Sequence, residues 1–315
     1  MLWASVSKVL LTDDTLVANR VFLLFFALRS RCGWVTGVLT RETVEALGSP
    51  LARRVVFHEE LNSTQERARV LAQEGSPHGT LVVSRMQAGG RGRLGRRWGS
   101  PLGGIWISLV LRPNIPASLA PRITQTAAVG VAKALWGFGV EVSIKWPNDL
   151  LVLKPGEPEG RKICGILAES NAEDTAINYP GSNAAHSERR PAFVVLGVGL
   201  NANFDPEELS VPYRKTATVR SELGRDVDLV ELLDTLLSNL DIELERIKDF
   251  DVILDDWRAL NCTLGKPVRV RRLGEVLEGR AVDLTPKGAL LLETPDGTIE
   301  LFEGEVEHLR QGEGT

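Results

Sequence analysis

The sequence predicts an α+β protein in which a mixed-sheet domain is followed by a small antiparallel barrel. Two observations carry that reading. Up to about residue 260, apolar strand-like runs alternate with amphipathic helical runs, whereas beyond Leu264 only short alternating strands separated by glycine-containing turns remain. A third observation sets the theme: Gly90–Arg97 packs three glycines and four arginines into eight residues. Such a loop turns tightly, lets backbone approach a ligand and converges guanidinium groups on an anion.

The chain has 315 residues, 43% of them hydrophobic and 25% charged, enough for a full core and a second, smaller unit. A formal charge of −4 argues against bulk nucleic-acid binding. Cys32, Cys164 and Cys262 lie far apart, as do His58, His78, His186 and His308, so neither a structural metal site nor a catalytic triad is expected. Free thiols suit a reducing cytoplasm, the expected compartment. The apolar run Val21–Leu28 is too short to span a bilayer, and acidic Asp13 and Asp14 precede it where a signal peptide would carry basic residues.

Residues 1–53 are expected to form an N-terminal extension. Residues 1–37 of it are read as unstructured or foreign to the natural protein, and Thr40–Leu47 as one short helix closed by Gly48. A single helix is too little for a helix-turn-helix reader, so no DNA partner is expected. The larger domain is assigned to 54–260 and opens with the strand Arg54–Phe57. Ser63 and Glu66 then have capping-box spacing for a helix reaching about Gln73. Ser63 and Thr64 either cap that helix or also present hydroxyls to a ligand at its N-terminus.

Leu81–Ser84 and Ile105–Leu111 are strands on either side of the arginine loop. No Asp or Glu occurs from Gly75 through Val140, which leaves the loop's charge uncompensated in its own neighbourhood and focuses positive potential on a phosphate-bearing ligand. Because like charges repel until an anion arrives, the loop is expected to move in the ligand-free protein. Gly90-x-Gly-x-x-Gly95 matches a dinucleotide fingerprint formally, yet Pro101 intervenes and no helix or ribose-binding acid follows, so that reading is rejected.

Pro121–Trp136 reads as an alanine-rich helix, and Val140–Ile144 as a strand leading to the turn Lys145-Trp-Pro-Asn-Asp149. There Asn148 and Asp149 bond either their own chain or a ligand. Leu150–Leu153 and Lys162–Glu169 are strands; Lys162 either caps the sheet edge or aims its ammonium at the same anion as the arginines. Asn171–Arg190 is polar and aperiodic, an expected flexible insertion. Phe193–Asn203 is a buried strand ending in glycines and asparagine. Helices follow over Leu229–Asp249 and about Asp251–Leu260. The second domain, 261–315, carries strands Pro267–Arg272, Val276–Val282, Ala289–Glu293 and Thr298–Phe302, separated by turns at Leu273–Gly274, Pro286–Gly288 and Pro295–Gly297; its size is SH3-like.

Taken together, Gln87-x-x-Gly-Arg-Gly-Arg-x-Gly-Arg-x-Trp98, Lys145–Asp149, Lys162–Glu169 and Gly197-Val-Gly-Leu-Asn201 occur in the order and approximate spacing of the biotin protein ligases, which biotinylate acetyl-CoA carboxylase. The resemblance runs from about Val38 to Arg310 and is to the monofunctional type without a DNA-binding domain. It implies a class II synthetase-like, biotin/lipoate ligase mixed sheet with an SH3-like C-terminal barrel. It also implies two steps: biotin and ATP form biotinyl-5′-AMP, which then acylates one lysine of a biotin carboxyl carrier domain.

On matched positions the resemblance assigns Ser63, Thr64, Gln65, Gln87, Arg91, Gly92, Arg93, Lys162 and Gly165 to biotin and its adenylate, with Lys162 and Arg93 catalytic. Arg93, Arg96, Trp98, Asn148 and Asn201 fall to ATP, and Asp149 to Mg²⁺. One departure stands out. The family usually reads Asp-Ser-Thr-Asn where this chain has Asn62-Ser-Thr-Gln65, which changes charge and reach and puts the role of Gln65 in doubt. A homodimer is among the partners the resemblance allows. Two neighbouring activities share much of the pattern: a lipoate or octanoate protein ligase, and a biotin-responsive repressor that also ligates.

Overall fold

The computed structural model describes residues 37–155, 160–171, 175–176, 189–190, 192–209, 216–272 and 274–309. Residues 1–36 and most of the 171–190 insertion lie outside them, as does Leu273 of the first barrel turn. Val38–Thr315 forms one compact unit.

Helix α1 (Arg41–Glu45) is capped by Thr40, which accepts the Thr43 N–H while Thr43 Oγ1 accepts the Thr40 N–H. Strand β1 (Arg54–Leu61) leads to α2 (Thr64–Gln73), whose N-cap Ser63 accepts the Glu66 N–H. Only half of the expected capping box forms, because the Glu66 carboxylate turns to Asn62 Nδ2 at 2.8 Å and Arg91 Nε at 3.2 Å. Strands β2 (Thr80–Gln87) and β3 (Ile105–Leu111) flank the arginine loop as expected.

Helix α3 (Pro121–Gly137) precedes β4 (Ser143–Lys145), β5 (Asp149–Val152), β6 (Arg161–Asn171), the short pair β7 (Thr175–Ala176) and β8 (Arg189–Arg190), and β9 (Phe193–Leu200). The strand expected at Val140–Ile144 starts three residues later: Val140 and Val142 are buried in the core, but ladder pairing begins at Ser143. Seven strands form one sheet in the order β1-β2-β3-β9-β6-β5-β4. Only β1 and β2 run parallel, so the sheet is mixed.

Residue alternation gives this sheet two different faces. On one, Ala68, Leu71 and Ala72 of α2 pack on Val82, Val110 and Val195. On the other, α3 lies under Ile107, Leu109, Ile166 and Leu196. Behind it stand α5 (Leu229–Glu245) and α6 (Phe250–Leu260), with the small helix α4 (Val219–Leu223) before them. At the α3–α5 contact a Cβ on Gly130 would lie 3.2 Å from Leu240 Cα, so any larger residue there would have to push the helices apart by a few tenths of an ångström. Lys133 meets buried Glu243 at 2.6 Å and Asp256 at 2.7 Å, tying the three helices by an ion-pair network.

The helix expected to reach Asp249 ends at Glu245, where Arg246–Lys248 tightens into a 3-10 turn. Helix α4 is an addition to the sequence reading, five residues held by a Thr218–Ser221 capping box and too short for a periodic signal. The second sheet has five antiparallel strands, β10 (Pro267–Arg272), β11 (Glu275–Leu284), β12 (Leu290–Thr294), β13 (Gly297–Leu301) and β14 (Glu305–His308), in the order β13-β12-β11-β10-β14. Sequence reading missed β14 because, among Glu305, Val306, Glu307 and His308, only Val306 is buried. This barrel sheet is anchored to the larger one: Trp146 N–H donates to Thr263 Oγ1 at 3.0 Å, Cys262 N–H to Ile144 O at 2.9 Å and Arg122 Nε–H to Pro286 O at 2.8 Å.

Candidate active site

Gly90–Trp98 closes on itself as a small hairpin, with Gly92 N–H donating to Arg96 O at 2.7 Å and Trp98 N–H to Gly90 O at 2.8 Å. At its tip Leu94 holds φ +56°, a left-handed conformation uncommon for a branched residue, and its side chain is exposed. The four arginines share no partner. Arg91 pairs with Glu66, Arg93 donates to Asn148 Oδ1 at 3.4 Å and Gly304 O at 3.2 Å, Arg96 clasps Glu305 and Arg97 donates to Ala88 O at 2.9 Å. The mutual repulsion expected from sequence is offset by this dispersal. Burial pulls the Arg93 guanidinium below its usual pKa, opposed chiefly by the Asp149 carboxylate; the Glu305 hydrogen bond raises that of Arg96.

Lys162 reaches the same place from β6. A bulge lies between β5 and β6: Leu150 pairs with Cys164 but Leu151 with Lys162, skipping Ile163. The Lys162 ammonium sits 2.6 Å from Asp149 Oδ1 and 4.8 Å from the centre of the Trp98 ring. Trp98 in turn lies flat against two glycines. A Cβ on Gly199 would come within 2.5 Å of its Nε1, and one on Gly165 within 3.0 Å of its Cζ3. Asn148 follows the cis Trp146–Pro147 peptide and donates to Ile166 O at 2.6 Å.

Beside this charged cluster is a neutral recess on the α2 face. Gln87 Oε1 accepts the Thr64 N–H at 2.8 Å and faces Thr64 Oγ1 at 3.1 Å, while Gln87 Nε2 donates to Ser100 Oγ at 2.7 Å. Ser108 Oγ lies 2.9 Å from Thr64 Oγ1 and 3.1 Å from Gln65 Oε1. Ser63, Thr64 and Gln65 are all buried. The structure therefore brings Thr64, Gln87, Arg93, Trp98, Asn148, Asp149, Lys162 and Gly165 into one connected region, with Ser63 and Arg91 at its α2 side.

Three expected site residues sit differently from a simple ligand-facing picture. Gln65 has its carboxamide taken up by protein partners, donating to Glu169 Oε2 at 3.0 Å and Val195 O at 3.1 Å. Arg96 is turned outward to Glu305. Asn201 is 1% exposed and donates to Ala217 O at 3.1 Å and Lys162 O at 3.3 Å; its Oδ1 is buried with no partner among the described residues, an acceptor that a ligand donor would satisfy. Sequence reading missed Ser108, Glu305 and Gly304, none of which falls in a motif. A cleft of about 240 Å³ opens beside Arg93 and Asn148, walled by Pro121, Ile166, Phe302 and Glu303. Among the described residues no group of three or more His, Cys, Asp or Glu side chains could hold a metal ion, and no helix is long and apolar enough to cross a membrane.

The mixed sheet thus sets arginines and a lysine beside a neutral recess, with Trp98 seated on Gly165 and Gly199. In family comparison, residues 58–179 match the Biotin/lipoate A/B protein ligase family and 263–309 the Biotin protein ligase C terminal domain. The chain is 33% identical over 265 residues to the bifunctional ligase/repressor BirA of Bacillus subtilis (strain 168), covering 82% of this chain and 74% of that protein. To the biotin–[acetyl-CoA-carboxylase] ligase of Paracoccus denitrificans it is 32% identical over 253 residues, covering 78% and 96%. The biotin protein ligase from Aquifex aeolicus, solved in complex with biotin and ATP, superposes with a TM-score of 0.63 at 27% identity, over 82% of this chain and 99% of that one. The chain belongs to the biotin protein ligase family, and it is a ligase.

Proposed function

We propose that the protein activates biotin with ATP as biotinyl-5′-AMP and then transfers biotin to a lysine of the biotin carboxyl carrier domain of acetyl-CoA carboxylase. The observation that carries this is the adjacency of the neutral recess of Thr64 and Gln87 to the cationic cluster of Lys162 and Arg93. A neutral cyclic urea with a carboxylate tail needs both. The carboxylate is ionised at neutral pH, so the first step requires no general base. Its barrier is electrostatic, because an anion must approach a polyanion.

Lys162, whose side chain is 19% exposed, would hold positive charge between the carboxylate and the α-phosphate in both steps. Arg93, already stripped of much of its water, would grip the mixed anhydride in the same way. Trp98, Asn148 and the orphan Oδ1 of Asn201 offer a stacking face, an amide and an acceptor to the nucleotide. Mg²⁺ commonly uses one or two carboxylates plus substrate phosphates instead of an all-protein cage. Asp149 fits that pattern and would hold the ion, which would neutralise phosphate charge. Asp149 also keeps Lys162 in place.

The test is incubation with ATP, Mg²⁺ and labelled biotin, with and without a carrier domain, scoring covalent label and pyrophosphate. Carrier-dependent labelling with biotin and none with lipoate is expected. Lipoate-dependent pyrophosphate release without biotin turnover would refute the substrate assignment.

A further inference from the structure

The cleft of about 240 Å³ beside Arg93 and Asn148 is not used by the chemistry proposed above. It opens at a free edge of the large sheet. Strand β5 last pairs with β6 at Asp149 and Gly165, and Asn148 then bonds both the Ile166 N–H and the Ile166 carbonyl. Past that point no strand among the described residues lies beside 168–170 on this side. The walls are apolar: Pro121, Pro147, Ile166, Ala168 and, from the barrel, Phe302.

Two acceptors in this cleft lack partners. Gln125, 3% exposed, donates its amide N–H to Gly288 O at 3.4 Å and keeps a buried Oε1 with no partner among the described residues. The reverse assignment of that amide would set two carbonyl oxygens face to face. Glu303 makes no hydrogen bond or ion pair among the described residues. Its neighbours are answered elsewhere: of the carboxylates whose charge reaches Arg93, Asp149 pairs with Lys162 at 2.6 Å and Glu305 pairs with Arg96, which leaves Glu303.

In the free chain Arg93 offsets that charge across the cleft. Once an adenylate phosphate engages Arg93, Glu303 is left uncompensated in an apolar slot beside an unfilled acceptor. An alkyl chain ending in an ammonium suits this set, with methylenes for the walls and N–H donors for the two oxygens.

We propose that the cleft receives the acceptor lysine of the carrier domain after adenylation, with Phe302 and the two prolines around its stem and Glu303 and Gln125 Oε1 on its ammonium. This rests on the ligase reading above and adds to it the residues that take the second substrate. Glu303 acts on capture and not on turnover, because an ion pair favours the ammonium whereas the attacking species is the amine.

The test is the transfer step, run on the full chain with purified biotinyl-5′-AMP and a carrier domain. Glu303→Gln is expected to raise the carrier KM about fivefold, the scale of one solvated ion pair, without lowering kcat. Glu303→Lys, which brings like charges together, should raise it on the order of thirtyfold. Gln125→Met, which removes the acceptor at similar volume, should raise it about tenfold. Hydroxylamine is a neutral nucleophile that needs no cation site, so it should consume the bound adenylate equally fast in the natural chain and in both Glu303 variants. Hydroxylamine turnover that falls in step with carrier turnover would mean that Glu303 serves Arg93 and the anhydride instead, and overturns the inference. An unchanged carrier KM in Glu303→Lys, or a lower kcat at unchanged KM, overturns it too. Glu303 is exposed, so its two variants decide the matter even if Gln125→Met does not fold. A natural chain that forms no biotinyl-5′-AMP, or forms it and labels no carrier, overturns the proposed function, and the inference with it.

Discussion

The neutral recess and the arginine hairpin lie side by side and are built in opposite ways. In the recess every side-chain polar atom of Thr64, Gln65 and Ser108 answers another across 2.8–3.1 Å, on a helix and strands of the larger sheet. In the hairpin the polar atoms belong to long side chains whose partners are borrowed: a barrel carbonyl for Arg93, a barrel carboxylate for Arg96, an α2 carboxylate for Arg91. The difference teaches where preorganisation is spent. A neutral ligand gains from a surface whose donors and acceptors are fixed before it arrives. A polyphosphate brings enough charge to take guanidinium groups from weaker, half-solvated partners, so the protein can leave them exchangeable.

The sharpest way to break this comparison is at Lys162, which belongs to the charged side yet is fixed like the recess. Lys162→Ala is expected to slow adenylation by on the order of 100- to 1,000-fold, the usual range for losing a preorganised transition-state contact. Biotin affinity should fall far less. Single-turnover pyrophosphate release beside equilibrium biotin binding separates the two, and equal losses would refute the charge-stabilising role.

Next in size, Arg93→Ala should shorten the retention of biotinyl-AMP by roughly ten- to a hundredfold, as expected for one charge-assisted hydrogen bond. A dissociation time course of the labelled adenylate reads it, and an unchanged off-rate would place the anhydride elsewhere. Glu305→Gln frees Arg96 from its barrel partner. Because Arg96 is half-exposed, the KM for ATP should fall by less than about fivefold, and added salt should shrink the difference. A rise in KM would mean that Glu305 aims Arg96 at the nucleotide instead of competing with it.

The smallest effect concerns the seam between barrel and sheet. Burial, with Lys145 and Lys266 nearby, pushes the His308 imidazole down from 6.5 to about 3. The unfolded chain thus binds a proton that the native state refuses between those values. The stabilisation from neutral His308 is complete above about pH 6.5 and is lost as pH falls toward 3. Denaturant titrations at a series of pH values should show the slope, and His308→Asn should flatten it.

Much of the fold was legible because its signals are local. Ile105–Leu111 and Pro267–Arg272 appear with the bounds read from sequence, and Pro121 opens its helix as turn chemistry requires. Short pieces were not legible: β14 carries a single core residue and α4 less than two turns. The site divides the same way. Gln87, Arg93, Asn148 and Lys162 stand in motifs, each dense enough in glycine, charge or turn residues to be seen alone. The bulge that skips Ile163 leaves no mark on an apolar run that fits a straight strand equally well, yet it sits at the residue next to Lys162.

By itself, then, the sequence determined the order of elements, the change of texture at the barrel and the identity of the charged groups, since periodicity, capping and turns depend on neighbours within a few residues. Only the tertiary structure decided who answers whom. Ser108 meets Gln65 across 43 positions of chain, and Arg96 meets Glu305 across 209. A hydrogen bond is short-ranged, so no spacing along the chain foretells one between residues that only the packing of helix on sheet, or of hairpin on barrel, brings together.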